Sequence, residues 1–245
     1  MSEQILIHGL RYATYGIEAV VCVLLVRSGR WGRLKGVWFY VSALLLLDGL
    51  GREAVLNYFG LASHEYRYFY WLTDVALALG AFLLICSFFR RACAQEEKLW
   101  RFARSLLIFS FVIVLAISIL FITRNYTHLF TDFIIEFSQN LYFTCLVLDT
   151  LLYVMIQQLS LDDDELGLLV CGFGVQFAGE AACFALLHLT FGDSFSTSLL
   201  VLSSPVCTFG MLAIWAYAVT KKPQTVPSRF QPRKVEALAG ARVGS

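Results

Sequence analysis

The segment GVWFYVSALLLLDGLGREAVLNYFG, from Gly36 to Gly60, is the stretch of sequence that decides the fold. It is long enough to cross the ~30 Å hydrocarbon core of a bilayer as a helix, which takes about 20 residues. Asp48 and Arg52 stand inside this apolar run. Charged side chains at membrane depth are costly and usually turn toward a partner within the protein. Because Asp48 precedes Arg52 by four residues, the two share a helical face and are predicted to pair.

The composition of the whole chain indicates a polytopic membrane protein. The 245 residues are 58% hydrophobic, 15% aromatic and 15% charged, and their mean hydropathy is +0.69. A soluble domain carries about 25% charged residues. The apolar residues come in blocks of about 20, without the alternation that is typical of β-barrel strands. We therefore predict an all-α fold, a seven-transmembrane-helix bundle, and a multi-pass location in the plasma (inner) membrane.

Seven spans are predicted, and together they form one domain over residues 1–220. They cover residues 4–26, 36–60, 67–89, 102–123, 129–157, 165–189 and 195–220. The loops are short, so consecutive helices are expected to be antiparallel neighbours. The N-terminal residues lack a basic region and a small-residue cleavage site, so the first apolar run is expected to be a retained span. Residues 221–245 are expected to form a basic, disordered cytoplasmic tail.

Lys and Arg residues in the loops predict the orientation. They are concentrated in the first loop, the third loop and the tail, whereas the opposite side has Arg11, Arg67 and Arg124. Cytoplasmic loops carry the excess of Lys and Arg, so the N-terminus is predicted outside and the C-terminus inside. The acidic fifth loop, from Ser160 to Glu165, is interpreted as a helix start with Ser160 as its N-cap. A loop that docks a partner is the alternative.

Polar and ionisable residues inside the spans form the candidate site. A helical rise of about 1.5 Å per residue places those of the second, third, fifth and sixth spans at one level, in the outer half of the bilayer. In the fifth span the polar residues recur every four positions and form a stripe on one face. The predicted ligand-binding residues are Asp48, Arg52, Glu53, Asp74, Glu136, Gln139, Asn140, Gln176 and Glu180.

This set contains more acids than bases, and the excess bears on whether it forms a functional cavity or a packing network. Five carboxylates accompany Arg52, and unpaired buried carboxylates either take up a proton or line water. We therefore favour a functional cavity. A hydrogen-bonded network that fixes helix packing, with Arg52 neutralised by one or two acids, is the alternative. Glu18 and Asp149 lie nearer the inner side and are the candidate residues of a proton path.

Three classes of function agree with this sequence. We favour a sensor or receptor-like protein that binds a small polar or cationic ligand, with a hinge at Pro205, and signals through cytoplasmic partners. A proton or cation channel or transporter is one alternative, and a structural subunit of a membrane complex is another. No enzyme, cofactor, metal site or nucleic-acid binding is predicted, because no corresponding motif is present. The expected partners are the lipid bilayer and either a cytoplasmic protein or a second copy of the chain.

Overall fold

The computed structural model describes residues 2–29, 32–60, 63–94, 96–122, 129–159, 163–189 and 194–221. Every regular element in these ranges is helical, which confirms the all-α prediction. Eight α-helices and one π-helical segment follow one another in the described ranges: α1 (Ser2–Arg27), α2 (Lys35–Ala43), the π-helical segment (Leu44–Gly51), α3 (Arg52–Phe59), α4 (His64–Ala92), α5 (Glu97–Ile122), α6 (Leu129–Gln158), α7 (Asp164–Leu189) and α8 (Ser194–Thr220).

Several of these helices are suited to a membrane. In the part of the chain that the structure describes, four are long and apolar enough to cross one: Gly9–Arg27, His64–Ala92, Glu97–Leu120 and Phe133–Gln158. A shorter apolar helix covers Pro205–Thr220. The outer surface of α5 exposes large apolar side chains, among them Phe102, Phe109, Val112, Ile117 and Leu120. A continuous apolar surface of this kind fits lipid and does not fit water. The chain is therefore a membrane-embedded protein.

The helices form a bundle around α4. Helices that are neighbours in the chain pack together, and α8 returns to pack against α1. Helix α4 contacts α2, α3, α5, α6 and α7, so it lies at the centre of the bundle. Short loops between long apolar helices favour this arrangement, because each helix buries its inward face against the next one. Residues on α4 are consequently placed to meet residues from most other helices.

An aromatic cluster fills the centre of the bundle. The ring of Phe173 on α7 stacks on Trp215 of α8, with the ring centres 5.1 Å apart. Tyr40 of α2 and Phe88 of α4 contact the same Phe173 ring, at 5.3 and 6.1 Å between centres. Stacked and edge-to-face aromatic pairs contribute about 0.5–1.5 kcal/mol each beyond their burial. Four helices are therefore joined at this point.

Glycine residues allow α7 and α8 to approach closely. Gly172 lies against Trp215, where an added methyl group would be only 2.7 Å from the indole ring. The indole Nε1 donates a hydrogen bond to the carbonyl oxygen of Leu169 over 2.9 Å. About two helical turns further on, Gly179 faces Cys207 of α8. Small residues in membrane helices commonly have this role, since they bring two backbones together.

A π-helical turn separates α2 from α3. In Leu44–Gly51 the helix widens, and the N–H of Arg52 reaches back to the carbonyl oxygen of Leu47. Gly51 suits this geometry, because a Cβ there would lie 2.9 Å from the carbonyl oxygen of Leu46. The sequence predicted one uninterrupted α-helix here. Wide turns of this kind are frequent at functional sites.

The start of α7 differs from the prediction in its cap. The helix begins at Asp164, and Asp163 caps it by accepting a hydrogen bond from the N–H of Leu166 over 3.2 Å. The predicted N-cap at Ser160 is therefore wrong, and Ser160 itself lies outside the described residues. A carboxylate at this position satisfies a free N–H and also suits the positive end of the helix dipole.

Candidate functional site

Arg52 is the centre of a polar cluster between the π-helical segment, α3 and α4. Its guanidinium pairs with the carboxylate of Asp48, one turn earlier, which confirms the predicted pair. Its Nε donates a hydrogen bond to Oγ1 of Thr73 over 3.1 Å, and its Nη2 lies 3.8 Å from Oδ1 of Asp74. The Arg52 side chain is only 15% exposed. A guanidinium that is largely removed from water needs such partners.

Two tyrosines complete the cluster. The guanidinium carbon of Arg52 lies 4.1 Å from the centre of the Tyr70 ring, which is a cation–π contact. The hydroxyl of Tyr142, on α6, is 3.4 Å from Oδ1 of Asp74 and donates a hydrogen bond to it. A chain of polar contacts therefore runs from the π-helical segment through Arg52 and Asp74 to α6.

The structure brings together three of the predicted site residues, Asp48, Arg52 and Asp74. Within the described residues, no hydrogen bond or ion pair joins the other polar side chains to them. Those side chains are partly buried, except for Gln176, which is buried in α7, and they are Glu53, Glu136, Gln139 and Asn140. Glu180 lies on α7, but its side chain falls outside the part of the chain that is described.

The orientation of α6 explains why its polar stripe does not join the cluster. Tyr142 and Ser138 share the face of α6 that is directed at Asp74. Glu136 and Asn140 are each two residues from Ser138, which places them roughly 200° away around the helix. The stripe therefore lies on the other side of α6. The regular spacing correctly predicted that these residues share one face of α6. It did not predict that this face is directed away from the Arg52 cluster.

Sequence reasoning missed three residues of the cluster. Thr73 and Tyr142 are uncharged, so a search for ionisable residues at membrane depth passes over them. Tyr70 belongs to an aromatic-rich run, from Tyr66 to Trp71, that is typical of the membrane interface, so nothing distinguishes it from its neighbours. A weak signal was present, because Thr73 directly precedes Asp74 in the sequence. The contact with Tyr142 joins two helices and leaves no trace in local spacing.

The two acids of the candidate proton path are buried in different surroundings. Glu18 is 0% exposed and Asp149 is 3% exposed. Neither oxygen of Glu18, nor Oδ1 of Asp149, has a hydrogen-bond partner in the described part of the chain. Glu18 is close enough to Asp48 for an electrostatic interaction between the two carboxyl groups. Asp149 lies instead at the contact between α6 and α7, with Oδ2 beside Gly174. The candidate proton path thus begins near the Arg52 cluster, and Asp149 stands apart from it.

Pro205 lies inside α8, which is helical on both sides of it from Ser194 to Thr220. The hinge at this residue stays a prediction. Among the described residues, no three His, Cys, Asp or Glu side chains are grouped as a metal site would require. No family model matches the chain, and no curated protein or solved structure matches it significantly. Its function must therefore be inferred from the chemistry of the site.

Proposed function

We propose that this chain is a seven-span membrane sensor that binds a small organic cation at the Arg52 cluster and signals through cytoplasmic partners. One observation carries the proposal: Asp48, Asp74 and the face of Tyr70 surround a guanidinium group that belongs to the chain itself. Carboxylates and an aromatic face are the groups that bind ammonium and guanidinium ligands. A ligand with either group would compete with Arg52 for the same contacts.

The seven-span arrangement is supported by three further helical stretches beside the four apolar ones. Residues 35–59 are helical throughout, because α2, the π-helical segment and α3 follow each other without a gap. Helices α7 and α8 have 26 and 27 residues, enough to cross the bilayer. The distribution of Lys and Arg then supports an outside N-terminus and a cytoplasmic C-terminus.

The charge and exposure of the cluster favour a cationic ligand over an anionic one. Two carboxylates face one guanidinium, so the ionised cluster has an excess of negative charge. The side chain of Asp48 is 37% exposed and that of Asp74 is 21% exposed, whereas that of Arg52 is 15% exposed. The two carboxylate side chains are therefore less buried than the guanidinium. The 3.8 Å contact between Arg52 and Asp74 is long for an ion pair, and we infer that the ligand breaks this contact.

The position of Asp74 explains how binding would change the bundle. Asp74 belongs to the central helix α4 and also accepts a hydrogen bond from Tyr142 of α6. A cation bound to Asp74 would release Arg52 and loosen the contact between α3 and α4. A ligand shifts a conformational equilibrium only through such differences between the two states.

Ligand-dependent thermal stability of the purified protein tests the proposal. A panel of small amines and guanidines is added to wild type, to Asp74→Asn and to a control, Glu136→Gln, which removes an acid outside the cluster. We expect at least one cation to raise the melting temperature of wild type and of Glu136→Gln but not of Asp74→Asn. An equal response in all three proteins, or no response to any compound, would contradict the proposal.

A proton channel or transporter is the second candidate, and the burial of Glu18 is the observation that favours it. A carboxyl group that is fully buried without a hydrogen-bond partner is expected to be neutral and able to exchange a proton. Proton flux into liposomes, compared between wild type and Glu18→Gln, separates the two functions. Proton flux that requires Glu18 would contradict the sensor proposal and support a proton channel or transporter. Absence of flux in folded wild-type protein leaves the sensor as the function to pursue.

A further inference from the structure

A second group of charged residues lies at the inner ends of the helices, far from the Arg52 cluster. Arg91 is in the last turn of α4, and Asp163 and Glu165 are at the start of α7. Arg91 donates from Nε and Nη2 to the two carboxylate oxygens of Asp163, over 3.0 and 2.9 Å. Its Nη2 also lies 2.7 Å from Oε2 of Glu165. One guanidinium thus holds two carboxylates of the neighbouring helix.

Two more basic residues extend this group to other elements. Arg33, in the loop between α1 and α2, lies 3.2 Å from Asp163 and 3.5 Å from Glu165. Lys221, directly after α8, lies 2.8 Å from Asp164. We call Arg33, Arg91, Asp163, Asp164, Glu165 and Lys221 the inner ion-pair group. It joins the inner ends of α4, α7 and α8 to the first loop.

Burial distinguishes the centre of this group from its rim. The side chains of Arg91 and Glu165 are 18% and 14% exposed, whereas those of Arg33 and Asp164 are 57% and 59% exposed. Exposed ion pairs contribute little to stability, and bidentate pairs shielded from water contribute more. The contacts of Arg91 therefore dominate, and the outer pairs shield them.

Helix α4 connects this group to the candidate ligand site. Asp74 and Arg91 belong to the same helix, and the helix has no break between them. At 1.5 Å per residue the two positions are about 25 Å apart along the axis. A displacement of α4 at Asp74 is therefore transmitted to the residue that holds α7 at the inner side.

We propose that the inner ion-pair group is a clamp that keeps the inner ends of α4 and α7 together, and that a cation bound at Asp74 opens it. The clamp follows from the contacts of Arg91 alone. Its control by a cation at Asp74 rests on the proposed function. The two statements can fail separately, because the clamp can be tested in protein without any ligand.

Cys93 is a natural reporter of the state of this clamp. It lies two residues after Arg91, at the end of α4, and is only 2% exposed. Burial, and to a smaller extent the nearby Glu96 carboxylate, raises the pKa of the Cys93 thiol. The thiolate is the reactive form, so Cys93 should react slowly while the clamp is closed. Because Cys93 lies only two residues from Arg91, a movement of this end of α4 on loss of the clamp should bring water to the thiol and increase its reactivity.

The experiment measures how fast a charged, water-soluble maleimide labels Cys93 in the full-length protein in a non-ionic detergent. Mass spectrometry assigns the adduct, and Cys93→Ser identifies the background from other cysteines. We expect Arg91→Gln to label about tenfold faster than wild type, as the loss of charge-assisted hydrogen bonds implies. Arg90→Gln is the matched control, because Arg90 is an exposed neighbour outside the clamp, and it should label at the wild-type rate.

An unchanged labelling rate in folded Arg91→Gln would overturn the clamp. If that variant does not fold, wild-type protein in low and high salt gives the same test, because salt screens ion pairs that water can reach. Labelling should then be faster in high salt, and an unchanged rate would count against the clamp. A cation that stabilises wild type should also accelerate labelling. If it does not, while Arg91→Gln still labels faster, the clamp holds and its coupling to the ligand is wrong.

Discussion

Arg52 places its guanidinium carbon 4.1 Å from the centre of the Tyr70 ring, so a cation of the chain itself covers the aromatic face of this site. The same guanidinium pairs with Asp48 and lies near Asp74. The proposed cation site is therefore occupied by a guanidinium of the chain itself. This arrangement accounts for a buried arginine in an apolar helix. The contribution of each contact to the free energy of unfolding can be measured with single and double variants.

Arg52 and Asp74 are predicted to be energetically coupled. Arg52→Met keeps an unbranched apolar stem but leaves two acids without their cation, so it should lower the free energy of unfolding by about 2 kcal/mol. Asp74→Asn in addition should cost less than it does alone, because the acid no longer needs neutralising. Thermal unfolding of the four proteins in a double-mutant cycle should give a coupling energy of about 1 kcal/mol. The same cycle with Glu136→Gln should be additive, and additivity at Asp74 would show that the 3.8 Å contact contributes no stability.

The sequence was sufficient to predict an all-helical fold, the bounds of individual helices such as α6, and the pair of Asp48 and Arg52. The predicted span 129–157 corresponds to α6, Leu129–Gln158, because apolar blocks end where charged loops begin. The pairing of Asp48 with Arg52 followed from a spacing of four residues, which holds two side chains on one helical face. Both features depend on neighbours along the chain, so they can be read without knowledge of tertiary contacts.

Contacts between helices could not be predicted in the same way. Thr73 and Tyr142 join the cluster because α4 and α6 are rotated so that their uncharged polar groups meet Arg52 and Asp74. The rotation is set by packing over the whole length of both helices, not by the polar stripe of α6. The π-helical turn is a further case, since Gly49 and Gly51 permit it but do not by themselves require it.

Gly51 is predicted to be required by the π-helical turn. In Gly51→Ala the added methyl group would lie 2.9 Å from the backbone oxygen of Leu46 and 3.1 Å from the Phe69 ring. Neither neighbour can move far, so the variant should lose about 1–3 kcal/mol of stability. Gly16→Ala is the control, because nothing lies within 4 Å of a Cβ there. Thermal unfolding should show a loss for the first variant and no loss for the second. Equal stability of the two would mean that the wide turn tolerates a side chain.

Gly172 is predicted to set the distance between α7 and α8. A methyl group at this position would lie 2.7 Å from the indole of Trp215 and 3.3 Å from the carbonyl oxygen of Met211. Gly172→Ala should therefore separate the helices, weaken the hydrogen bond from Trp215 to Leu169, and cost about 2 kcal/mol. Gly210→Ala, on the facing helix, would make only an ordinary contact at 3.6 Å. A shift in tryptophan fluorescence and a lower melting temperature in the first variant alone would support this prediction. A normal melting temperature for Gly172→Ala would refute it.

The stability that Lys221 contributes to the inner ion-pair group should be lost in alkaline solution. The hydrogen bond from Lys221 to Asp164 raises the pKa of the ammonium group above the ordinary value of 10.5. A lysine with a raised pKa contributes stability that is fully present below its ordinary pKa and is lost as the pH rises through the raised value. The difference in melting temperature between wild type and Lys221→Gln should thus be constant from neutral pH to about pH 10 and shrink in more alkaline solution. A difference that grows with pH would contradict the assignment of this pair.

Glu18 is predicted to lower the free energy of unfolding of this protein. The residue is 0% exposed, and neither carboxyl oxygen has a hydrogen-bond partner among the described residues. Burying such a group costs about 1–3 kcal/mol, so Glu18→Met, which fills similar space without polar atoms, should stabilise the protein by roughly that amount. Glu18→Gln retains a buried polar group and should change the melting temperature little. A stabilising effect of Glu18→Met would agree with a functional role for this acid, and a buried carboxyl group is chemically suited to proton transfer. Loss of stability in Glu18→Met would instead reveal a structural role for this acid and remove the main support for a proton path.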